Sequence, residues 1–387
     1  MILVIADDFS GAAEMAGIAF RYGLKSRVSY DFDPHLDAHL LVINTGTRSL
    51  PEQDAVAKLR QLAAEIRNMP SKPLIFKKVD SVFRGHIAAE IEVLSNELGY
   101  KRAILLPANP SKSRTIENGK YIMNGREIQN TVFAEDPAFP AQSSEVKDLV
   151  KSANYGLRHF HLINGEAMPP EGLVTGDLKH NEDFQHFLPD LNSHDLAVGA
   201  ADFFEQFLLK YTDSSPSGKK CGIQRIFKLI VNGSIVAVAD EDKYLASKGF
   251  PVYSLPGIFE NHEFQLSNKE FLDFCGQLKE SLLRHKLVKV SVGQPVSRNH
   301  KISQQFLNYL SELACFLVQE LGRSQLQLYL TGGETASAIL EALQVSSLKV
   351  LAEVSPGTVT LEEEQLLVTT KPGSYDWPTD LFNINET

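Results

Sequence analysis

The chain opens with an apolar strand that runs directly into two aspartates and then into a helix. Residues 2–6 are wholly apolar, a run long enough for a buried parallel strand and too short for a helix. Asp7 and Asp8 come next, and residues 12–20 have the pattern of a helix. Because ligands of an open α/β sheet bind beyond the carboxyl ends of its strands, this beginning predicts a binding site beside the two aspartates.

Two adjacent aspartates at this point have one structural and one chemical explanation. Asp and Ser are favoured N-caps, and a cap stabilises its helix by about 1 kcal/mol. A carboxylate on a rigid loop also suits a general base or a magnesium ligand. Since a helix needs only one cap, one of Asp7 and Asp8 remains available for chemistry, and the residues alone do not say which.

The order of strands and helices predicts two α/β domains. A chain of 387 residues exceeds one ordinary core. Short apolar runs alternate with amphipathic helical patterns, which is typical of mainly parallel sheets flanked by helices. The clearest break is the polar, turn-forming stretch 212–220, so we predict an N-terminal domain over residues 1–211, a linker over 212–225 and a C-terminal domain over 226–387. Two Asn-Gly pairs within residues 115–128 predict a β-hairpin beside the first sheet.

Charge and cysteine content argue against several classes of function. The formal net charge is -10, from 38 basic and 48 acidic side chains, whereas proteins that bind nucleic acid or anionic membranes present a basic face. The three cysteines show no metal-site or disulfide spacing, which favours a reducing compartment. No apolar run approaches the ~18 residues of a membrane span, and strand-like sequence begins at residue 2 without the basic region of a signal peptide. We expect a cytoplasmic protein.

Charged and polar residues cluster beyond the ends of two predicted strands of the first domain. The members are Asp7, Asp8, Lys77, Lys78, Asp80, Ser81 and Arg84. Lysine and arginine suit a carboxylate or phosphate, which Arg binds in a bidentate manner. Neighbouring carboxylates suit a hydroxyl proton or magnesium. Because burying charges of both signs is costly unless they pair, the group is either an anion-binding crevice or a structural ion-pair network.

Glycines follow several predicted strands of the second domain. They lie in Gly233-Ser234, Gly332-Gly333-Glu334-Thr335, Pro356-Gly357-Thr358 and Pro372-Gly373-Ser374. Glycine lets backbone N–H groups approach an anion closely, and a following helix N-terminus adds favourable dipole charge. Each segment alone is typical of a tight turn, but several at the strand ends of one domain favour a nucleotide site. The sequence has no P-loop and no G-x-G-x-x-G after the first strand.

Four motifs together resemble the four-carbon acid sugar kinase family, which includes 3-oxo-tetronate, threonate and erythronate kinases. They are Ala6-Asp7-Asp8-Phe9-Ser10-Gly11-Ala12, Lys77-Lys78-Val79-Asp80-Ser81-Val82-Phe83-Arg84-Gly85, Gly332-Gly333-Glu334-Thr335 and Lys371-Pro372-Gly373-Ser374-Tyr375. The resemblance spans the whole chain in the family's order. It implies two α/β domains, the first taking the sugar acid and the second taking ATP, with the reaction in the cleft between them.

The resemblance also implies which residues form the two sites. The acid-sugar site would comprise Asp7, Asp8, Ser10, Lys78, Asp80, Ser81 and Arg84, of which Asp8, Lys78, Asp80 and Arg84 are the predicted catalytic residues. The nucleotide site would comprise Ser234, Gly332, Gly333, Glu334, Thr335, Gly357, Lys371 and Gly373. Mg²⁺ would bridge the ATP phosphates, and the sequence identifies no protein ligands for it.

The sequence therefore predicts an ATP-dependent kinase that phosphorylates a hydroxyl of a small, four-carbon-type acid sugar. Lys78 and Arg84 would hold the substrate carboxylate or the transferring phosphoryl group, while Asp7, Asp8 or Asp80 would accept the hydroxyl proton. Phosphoryl transfer needs mainly positioning and charge stabilisation. The alternative is a sugar-acid-binding or regulatory protein of the same fold that has lost catalysis, because segments 233–236 and 371–376 depart from the family's usual glycine loops. The sequence leaves a homodimer open.

Overall fold

The computed structural model describes residues 1–136, 139–150, 158–163, 166–212, 215–216, 223–233, 239–256, 269–293, 300–373, 375–378 and 381. The chain divides into two compact units, Met1–Ser217 and Gly218–Thr387. Each unit is a mainly parallel sheet flanked by helices, so the predicted fold class is confirmed. Most of the predicted linker, residues 213–214 and 217–222, lies outside the described residues.

The first unit has eleven strands and five α-helices among its described residues. The strands are β1 (Ile2–Ala6), β2 (Ser26–Ser29), β3 (Leu40–Asn44), β4 (Leu74–Lys78), β5 (Arg102–Leu106), β6 (Arg114–Glu117), β7 (Lys120–Met123), β8 (Arg126–Glu127), β9 (His159–Leu162), β10 (Gly172–Gly176) and β11 (Asp195–Gly199). The helices are α1 (Phe9–Arg21), α2 (Glu52–Arg67), α3 (Ile87–Leu98), α4 (Val146–Leu149) and α5 (Ala201–Tyr211). Short 3₁₀ segments occupy Pro110–Lys112, Ile128–Asn130, Val132–Glu135 and Asn181–His186.

Eight of these strands form one parallel sheet in the order β2-β3-β1-β4-β11-β5-β10-β9. The apolar strand β1 is buried along its whole length, as a strand covered by helices on both faces must be. The chain passes from β3 on one side of β1 to β4 on the other, so the order reverses around β1. In register, Ala6 lies beside Asn44 and Lys78, which aligns the carboxyl ends of β1, β3 and β4. This reversal point is where open α/β sheets bind ligands.

Strands β6, β7 and β8 form a separate antiparallel sheet, which we call the meander. Its two turns are the Asn-Gly pairs at 118–119 and 124–125. The φ angles are 51° at Asn118 and Asn124 and 75° at Gly119 and Gly125, as type I′ turns require. The sequence predicted a single hairpin here, and the structure adds a third, two-residue strand to it.

The second unit has seven strands and four α-helices among its described residues. The strands are β12 (Phe227–Asn232), β13 (Val252–Ser254), β14 (Leu287–Ser291), β15 (Leu326–Thr331), β16 (Ser347–Ser355), β17 (Thr358–Glu363) and β18 (Leu366–Lys371). The helices are α6 (Ala239–Ser247), α7 (Lys269–His285), α8 (His300–Leu321) and α9 (Gly333–Ala342). No helix within the described ranges is long and apolar enough to cross a membrane.

The strand order of the second unit is β13-β14-β12-β15-β18-β17-β16. The first five strands are parallel, whereas β17 runs antiparallel to both β16 and β18. Gly357 therefore lies in a hairpin turn between β16 and β17, with φ at 82°, rather than between a strand and a helix.

Candidate functional site

The crevice of the first unit lies at the aligned carboxyl ends of β1, β3 and β4. Asp7 and Asp8 follow β1, Arg48 follows β3, and residues 80–84 follow β4. The structure thus brings together the charged residues of the cluster that the sequence predicted at these strand ends, except Lys77, which was not among the residues predicted for the acid-sugar site. It adds two arginines that the sequence reasoning missed, Arg48 and Arg114.

Arg48 is the cation at the centre of this crevice. Its Nε and Nη2 donate to the two carboxylate oxygens of Asp7 at 2.8 and 3.0 Å. Nη2 also donates to Asp8 Oδ1 at 2.9 Å, and Nη1 lies 3.6 Å from Asp80 Oδ1. One guanidinium therefore neutralises parts of three carboxylates, which is why they can be buried side by side. The signal for Arg48 in the sequence was a lone arginine in the polar loop after β3.

Asp7 is held as an ionised structural partner of Arg48. Burial alone would raise the pKa of Asp7, but the charges of Arg48, Lys77 and Lys78 outweigh burial, and the pKa lies below its usual value. Both oxygens of Asp7 accept hydrogen bonds from the same guanidinium. Asp7 therefore organises the crevice and is a poor proton acceptor.

Asp80 and Arg84 form a second bidentate ion pair. Arg84 Nε and Nη2 donate to Asp80 Oδ2 and Oδ1, both at 3.0 Å, and the backbone N–H groups of Val82 and Arg84 also point to Asp80 Oδ2, each at 3.2 Å. Burial opposes ionisation of Asp80, but Arg84, Arg48 and Lys78 together hold its pKa far below the usual range. Asp80 in turn raises the pKa of Arg84.

Asp8 combines the two roles that the sequence left open. It is the N-cap of α1, where its Oδ1 accepts the backbone N–H of Gly11 at 3.0 Å. Its Oδ2 accepts the hydroxyl of Ser10 at 2.6 Å, which is the one hydrogen bond to that oxygen among the described residues. A carboxylate oxygen accepts two hydrogen bonds, so Asp8 Oδ2 keeps the capacity to accept another.

Lys77 and Lys78 are separated by the alternation of strand β4. Lys77 is fully buried on one face, where its Nζ lies 2.6 Å from Glu90 Oε2. Thr47 donates its hydroxyl to the other oxygen of Glu90. The inclusion of Lys77 in the crevice was therefore wrong, because neighbouring side chains of a strand point to opposite faces.

Lys78 Nζ donates to the carbonyl of Val79 at 2.7 Å, and within the described part of the chain no carboxylate lies within 4.0 Å of it.

The meander reaches the crevice through Ser81. Arg114 Nη1 donates to the hydroxyl of Ser81, and the buried Tyr121 hydroxyl donates to its carbonyl. Burial raises the pKa of Tyr121, which keeps this donor protonated. Phe83, at a φ of 65° that bulky residues rarely adopt, packs edge-on against Tyr121 with ring centroids 5.1 Å apart. These contacts fix the tight turn that wraps residues 80–84 around the carboxylate of Asp80.

In the second unit, the predicted nucleotide residues lie along one edge of the sheet. Asn232 pairs in register with Thr331, and Thr331 pairs with Lys371, so the loops that begin at Gly233, Gly332 and Pro372 are neighbours. Antiparallel pairing of Val359 with Thr370 places the turn at Gly357 at the same edge. Ser234 lies outside the described residues.

The N-terminus of α9 is an open group of backbone donors at this edge. Gly332 is its N-cap at a φ of 92°, and no side chain caps the helix. Gly333 and the exposed Glu334 begin the first turn, and Thr335 is buried. A Cβ atom at Gly233 would lie 2.1 Å from Thr335 Oγ1, so only glycine fits there. The buried hydroxyl of Thr331 has no hydrogen-bond partner among the residues described.

Lys371 adds a positive charge to this edge. Its Nζ donates to the carbonyl of Tyr375 at 2.6 Å and lies 5.2 Å from the ring centre of Trp377. Burial lowers the pKa of Lys371 to about 8, although Glu241 and Asp376 act in the opposite direction. An ammonium beside open helix N–H groups has the donor chemistry of a phosphate site.

Across the described ranges, no group of three or more His, Cys, Asp or Glu side chains is placed to hold a metal ion.

Two family models cover most of the chain. One, described as a sugar-binding N-terminal domain, matches residues 2–201, and the other, a nucleotide-binding C-terminal domain, matches residues 269–375. The chain belongs to the four-carbon acid sugar kinase family. Membership confirms the resemblance that the four motifs suggested.

Curated relatives in this family are kinases of acid sugars. The chain is 27% identical over 421 residues to the D-threonate kinase of Salmonella typhimurium, with 97% of this chain and 95% of that protein covered. It is 23% identical over 402 residues to the D-erythronate kinase of Heliobacterium modesticaldum, covering 92% and 88%. A crystal structure of a Salmonella typhimurium protein superposes with a TM-score of 0.76 at 16% identity over 97% of this chain and 96% of that one, which supports the fold alone. The names of the relatives support a kinase.

Proposed function

We propose that this protein is an ATP-dependent kinase that phosphorylates a hydroxyl of a small acid sugar of the four-carbon type, such as threonate, erythronate or 3-oxo-tetronate. The observation that carries the proposal is the crevice around Asp8 and Lys78, at the reversal point of the first sheet. It holds a carboxylate oxygen with spare acceptor capacity and an ammonium without a carboxylate partner among the described residues. The full-length similarity to named acid-sugar kinases supports the same conclusion.

The distribution of charge in the crevice favours an anionic substrate. Arg48 and Arg84 are each engaged with carboxylates, which leaves Lys78 and Arg114 to attract an anion. Arg84 would therefore act by holding Asp80 in place. This role differs from the expectation from the sequence, in which Arg84 itself binds the substrate. The buried ammonium of Lys78 makes one backbone hydrogen bond, so a bound anion would offset the free-energy cost of burying its charge.

Asp8 is the residue we assign to the hydroxyl that is phosphorylated. Its Oδ2 accepts or orients the hydroxyl proton as the oxygen attacks, while Ser10, Gly11 and Arg48 hold the carboxylate still. Asp7 and Asp80 suit this role less, because in each of them arginine binds both carboxylate oxygens, whereas in Asp8 it binds only Oδ1. Phosphoryl transfer asks the protein mainly for such positioning.

We assign the nucleotide to the glycine-rich edge of the second unit. The open N–H groups of α9, the hydroxyl of Thr331 and the ammonium of Lys371 fit the oxygens of a polyphosphate. ATP would supply the phosphoryl group, and Mg²⁺ would neutralise its phosphate charge. Mg²⁺ would be carried mainly by the phosphate oxygens of ATP, which are hard oxygen ligands of the kind that it prefers.

A coupled assay of ADP release tests this proposal. Protein is incubated with Mg²⁺-ATP and a panel of aldonic and 3-oxo acids of three to six carbons. We expect ADP release with one or a few of the acids and none without acid. A folded protein that stays silent across the panel and binds no ATP in calorimetry would contradict the kinase. That outcome would favour a sugar-acid-binding protein, the alternative that the altered loop at residues 371–376 suggests.

A further inference from the structure

We infer that Arg114 binds the carboxylate of the acid sugar and so selects acids over neutral sugars. This inference rests on the proposed function and deepens it. It assigns the two ends of the substrate to two ends of the crevice. The carboxylate lies at Arg114, on the meander, and the reacting hydroxyl lies at Asp8.

Arginines pair with the carboxylates of the crevice and leave two other cations without a carboxylate partner. Asp7 and Asp80 are each held in two hydrogen bonds by one arginine, and Asp8 shares Arg48 with Asp7. Every carboxylate of the crevice thus has an arginine. Two cations remain, Lys78 and Arg114, and neither has a carboxylate within 4.0 Å in the ranges that the structure describes. Lys78 and Arg114 are therefore the two cations of the crevice that make no direct ion pair with the described residues.

Arg114 makes one side-chain hydrogen bond among the described residues. Its Nη1 donates to the hydroxyl of Ser81, a neutral group, and Arg114 is itself partly buried. A guanidinium has five N–H donors in a planar fork, so most of them remain for another partner. Partial burial of a guanidinium without a counter-ion is unfavourable, and a bound carboxylate would remove that cost by accepting two parallel hydrogen bonds.

The meander, which carries Arg114, is held in place by hydrogen bonds at its first turn and at its second strand. Asp177 accepts the backbone N–H groups of Asn118 and Gly119 at 2.8 and 2.9 Å, which fastens the first turn of the meander to the strand-end loop after β10. Tyr121 fastens the second strand of the meander to Ser81. Arg114 is therefore presented from a fixed backbone, and specificity depends on such preorganisation.

Lys78, the other cation without a carboxylate partner among the described residues, lies near Asp8. A Cβ atom built on Gly11 would lie 2.7 Å from Asp8 Oδ1 and 3.3 Å from Lys78 Nζ, so these two groups flank the same glycine. Lys78 thus belongs to the Asp8 end of the crevice, whereas Arg114 belongs to the Ser81 end. Lys78 is placed to meet the incoming phosphoryl group, and the guanidinium is left for the carboxylate, whose planar shape it matches.

Calorimetric binding of the acid without nucleotide is the decisive measurement, made on wild type, Arg114→Met and Arg114→Lys. The control is Arg126→Met, which removes an exposed arginine from β8 of the same meander. Ligands are the acid that supports most ADP release and its neutral amide. If no acid supports release, the acid that binds wild type most tightly is used.

We expect Arg114→Met to weaken acid binding about 10- to 100-fold, the range for a charge-assisted hydrogen-bonded pair. Binding of the amide and the KM for ATP should stay unchanged. Arg114→Lys should lose less acid affinity than Arg114→Met, because lysine keeps the positive charge although it lacks the paired N–H donors of the guanidinium. Arg126→Met should match wild type throughout.

Equal loss of acid and amide binding, or lower thermal stability with normal acid affinity, would overturn the inference and leave Arg114 as a support for Ser81. If Arg114→Met does not fold, the Arg114→Lys comparison decides: equal loss for acid and amide overturns the inference. Wild type that binds an acid but releases no ADP would contradict the kinase while the test of Arg114 proceeds. Wild type that binds no acid in the panel would overturn both.

Discussion

Arg48 binds Asp7 through two parallel hydrogen bonds, from Nε to Oδ2 at 2.8 Å and from Nη2 to Oδ1 at 3.0 Å. The same guanidinium reaches Asp8 and Asp80. Arg48→Met would leave partly buried carboxylates with less than their full counter-charge, and we expect it to lower the free energy of unfolding by about 3–5 kcal/mol. Urea denaturation measures this loss.

The control for Arg48 is Arg60→Met, which removes an exposed arginine paired with Glu97 and should change stability by less than about 1 kcal/mol. Acid titration adds a second readout. The pKa values of Asp7 and Asp80 lie below the ordinary 3.8 in the folded protein, so the stability they contribute is present above about pH 4 and is lost as the pH falls. Arg48→Met should lose less on acidification than wild type, and an equal loss would contradict our assignment.

Asp8→Asn separates the chemical role of Asp8 from its structural one. Asn caps a helix about as well as Asp, so α1 and the overall stability should be preserved. Loss of the proton acceptor should lower kcat by about 10²–10⁴-fold while ATP affinity stays the same. Steady-state kinetics and nucleotide calorimetry on one preparation test both statements. Turnover within a few-fold of wild type would remove Asp8 from the mechanism.

The sequence predicted those features of the site that depend on chain-local patterns. Apolar runs such as residues 2–6 identify buried strands, and parallel strands bring their following loops to one edge, so Asp7, Asp8 and Asp80 were expected together. Arg48 and Arg114 were missed because the direction of a long charged side chain depends on partners far along the chain. Lys77 was misplaced because the face to which a strand residue points is fixed by the packing of α3, which carries Glu90.

The antiparallel strand of the second unit shows another limit of sequence reasoning. The apolar runs that became β17 and β18 look alike in composition, and composition does not give a strand its direction. The direction follows from the two-residue connection between them at Glu364 and Gln365, both with positive φ, which is too short for a parallel crossover. Such tight connections are visible in a sequence only when glycine or asparagine marks them.

Gly11→Ala tests how closely the first helix approaches the crevice. Alanine normally stabilises a helix by about 1 kcal/mol relative to glycine. At Gly11, however, a Cβ atom would lie 2.7 Å from Asp8 Oδ1 and 3.3 Å from Lys78 Nζ, so both groups must shift. We expect turnover to fall by at least about tenfold without any gain in stability.

The matched control is Gly276→Ala in α7, where a Cβ atom would meet nothing within 4 Å. That variant should raise the free energy of unfolding by about 0.5–1 kcal/mol and leave turnover unchanged. Thermal unfolding and the ADP-release assay on both variants provide the comparison. Normal turnover by Gly11→Ala would show that Asp8 and Lys78 need not keep these positions.

Two variants test whether the buried Lys77–Glu90 pair is purely structural. Lys77→Met should lower the free energy of unfolding by about 3–5 kcal/mol, because it leaves the carboxylate of Glu90 buried without a counter-charge. The double variant with Glu90→Met should recover most of that loss, since both members of a buried pair can be replaced by apolar side chains. The double variant should also keep its turnover. A stable double variant without activity would return Lys77 to the crevice.

The lowered pKa of Lys371 predicts how the KM for ATP changes with pH. Its pKa in the folded protein is about 8, so the ammonium is present below pH 8 and is lost above it. The groups that face it are Glu241 and Asp376, which raise the pKa, and Lys289, which lowers it. If Lys371 binds phosphate, the KM for ATP should be flat near pH 7 and rise above pH 8. Lys371→Met should raise the KM at pH 7 and abolish its change with pH.

Raising the pH above 8 should weaken ATP binding through Lys371, but it should make the folded protein more stable. The unfolded chain keeps a lysine pKa of about 10.5, so it binds more protons than the folded protein between pH 8 and 10.5, and the unfolding free energy contributed by Lys371 rises across that window. Below pH 8 the penalty for burying the ammonium is complete. Relative to Lys371→Met, wild type should therefore gain stability from pH 8 to 10, whereas the exposed control Lys349→Met should track wild type. Parallel stability curves for wild type and Lys371→Met would show that burial does not perturb Lys371.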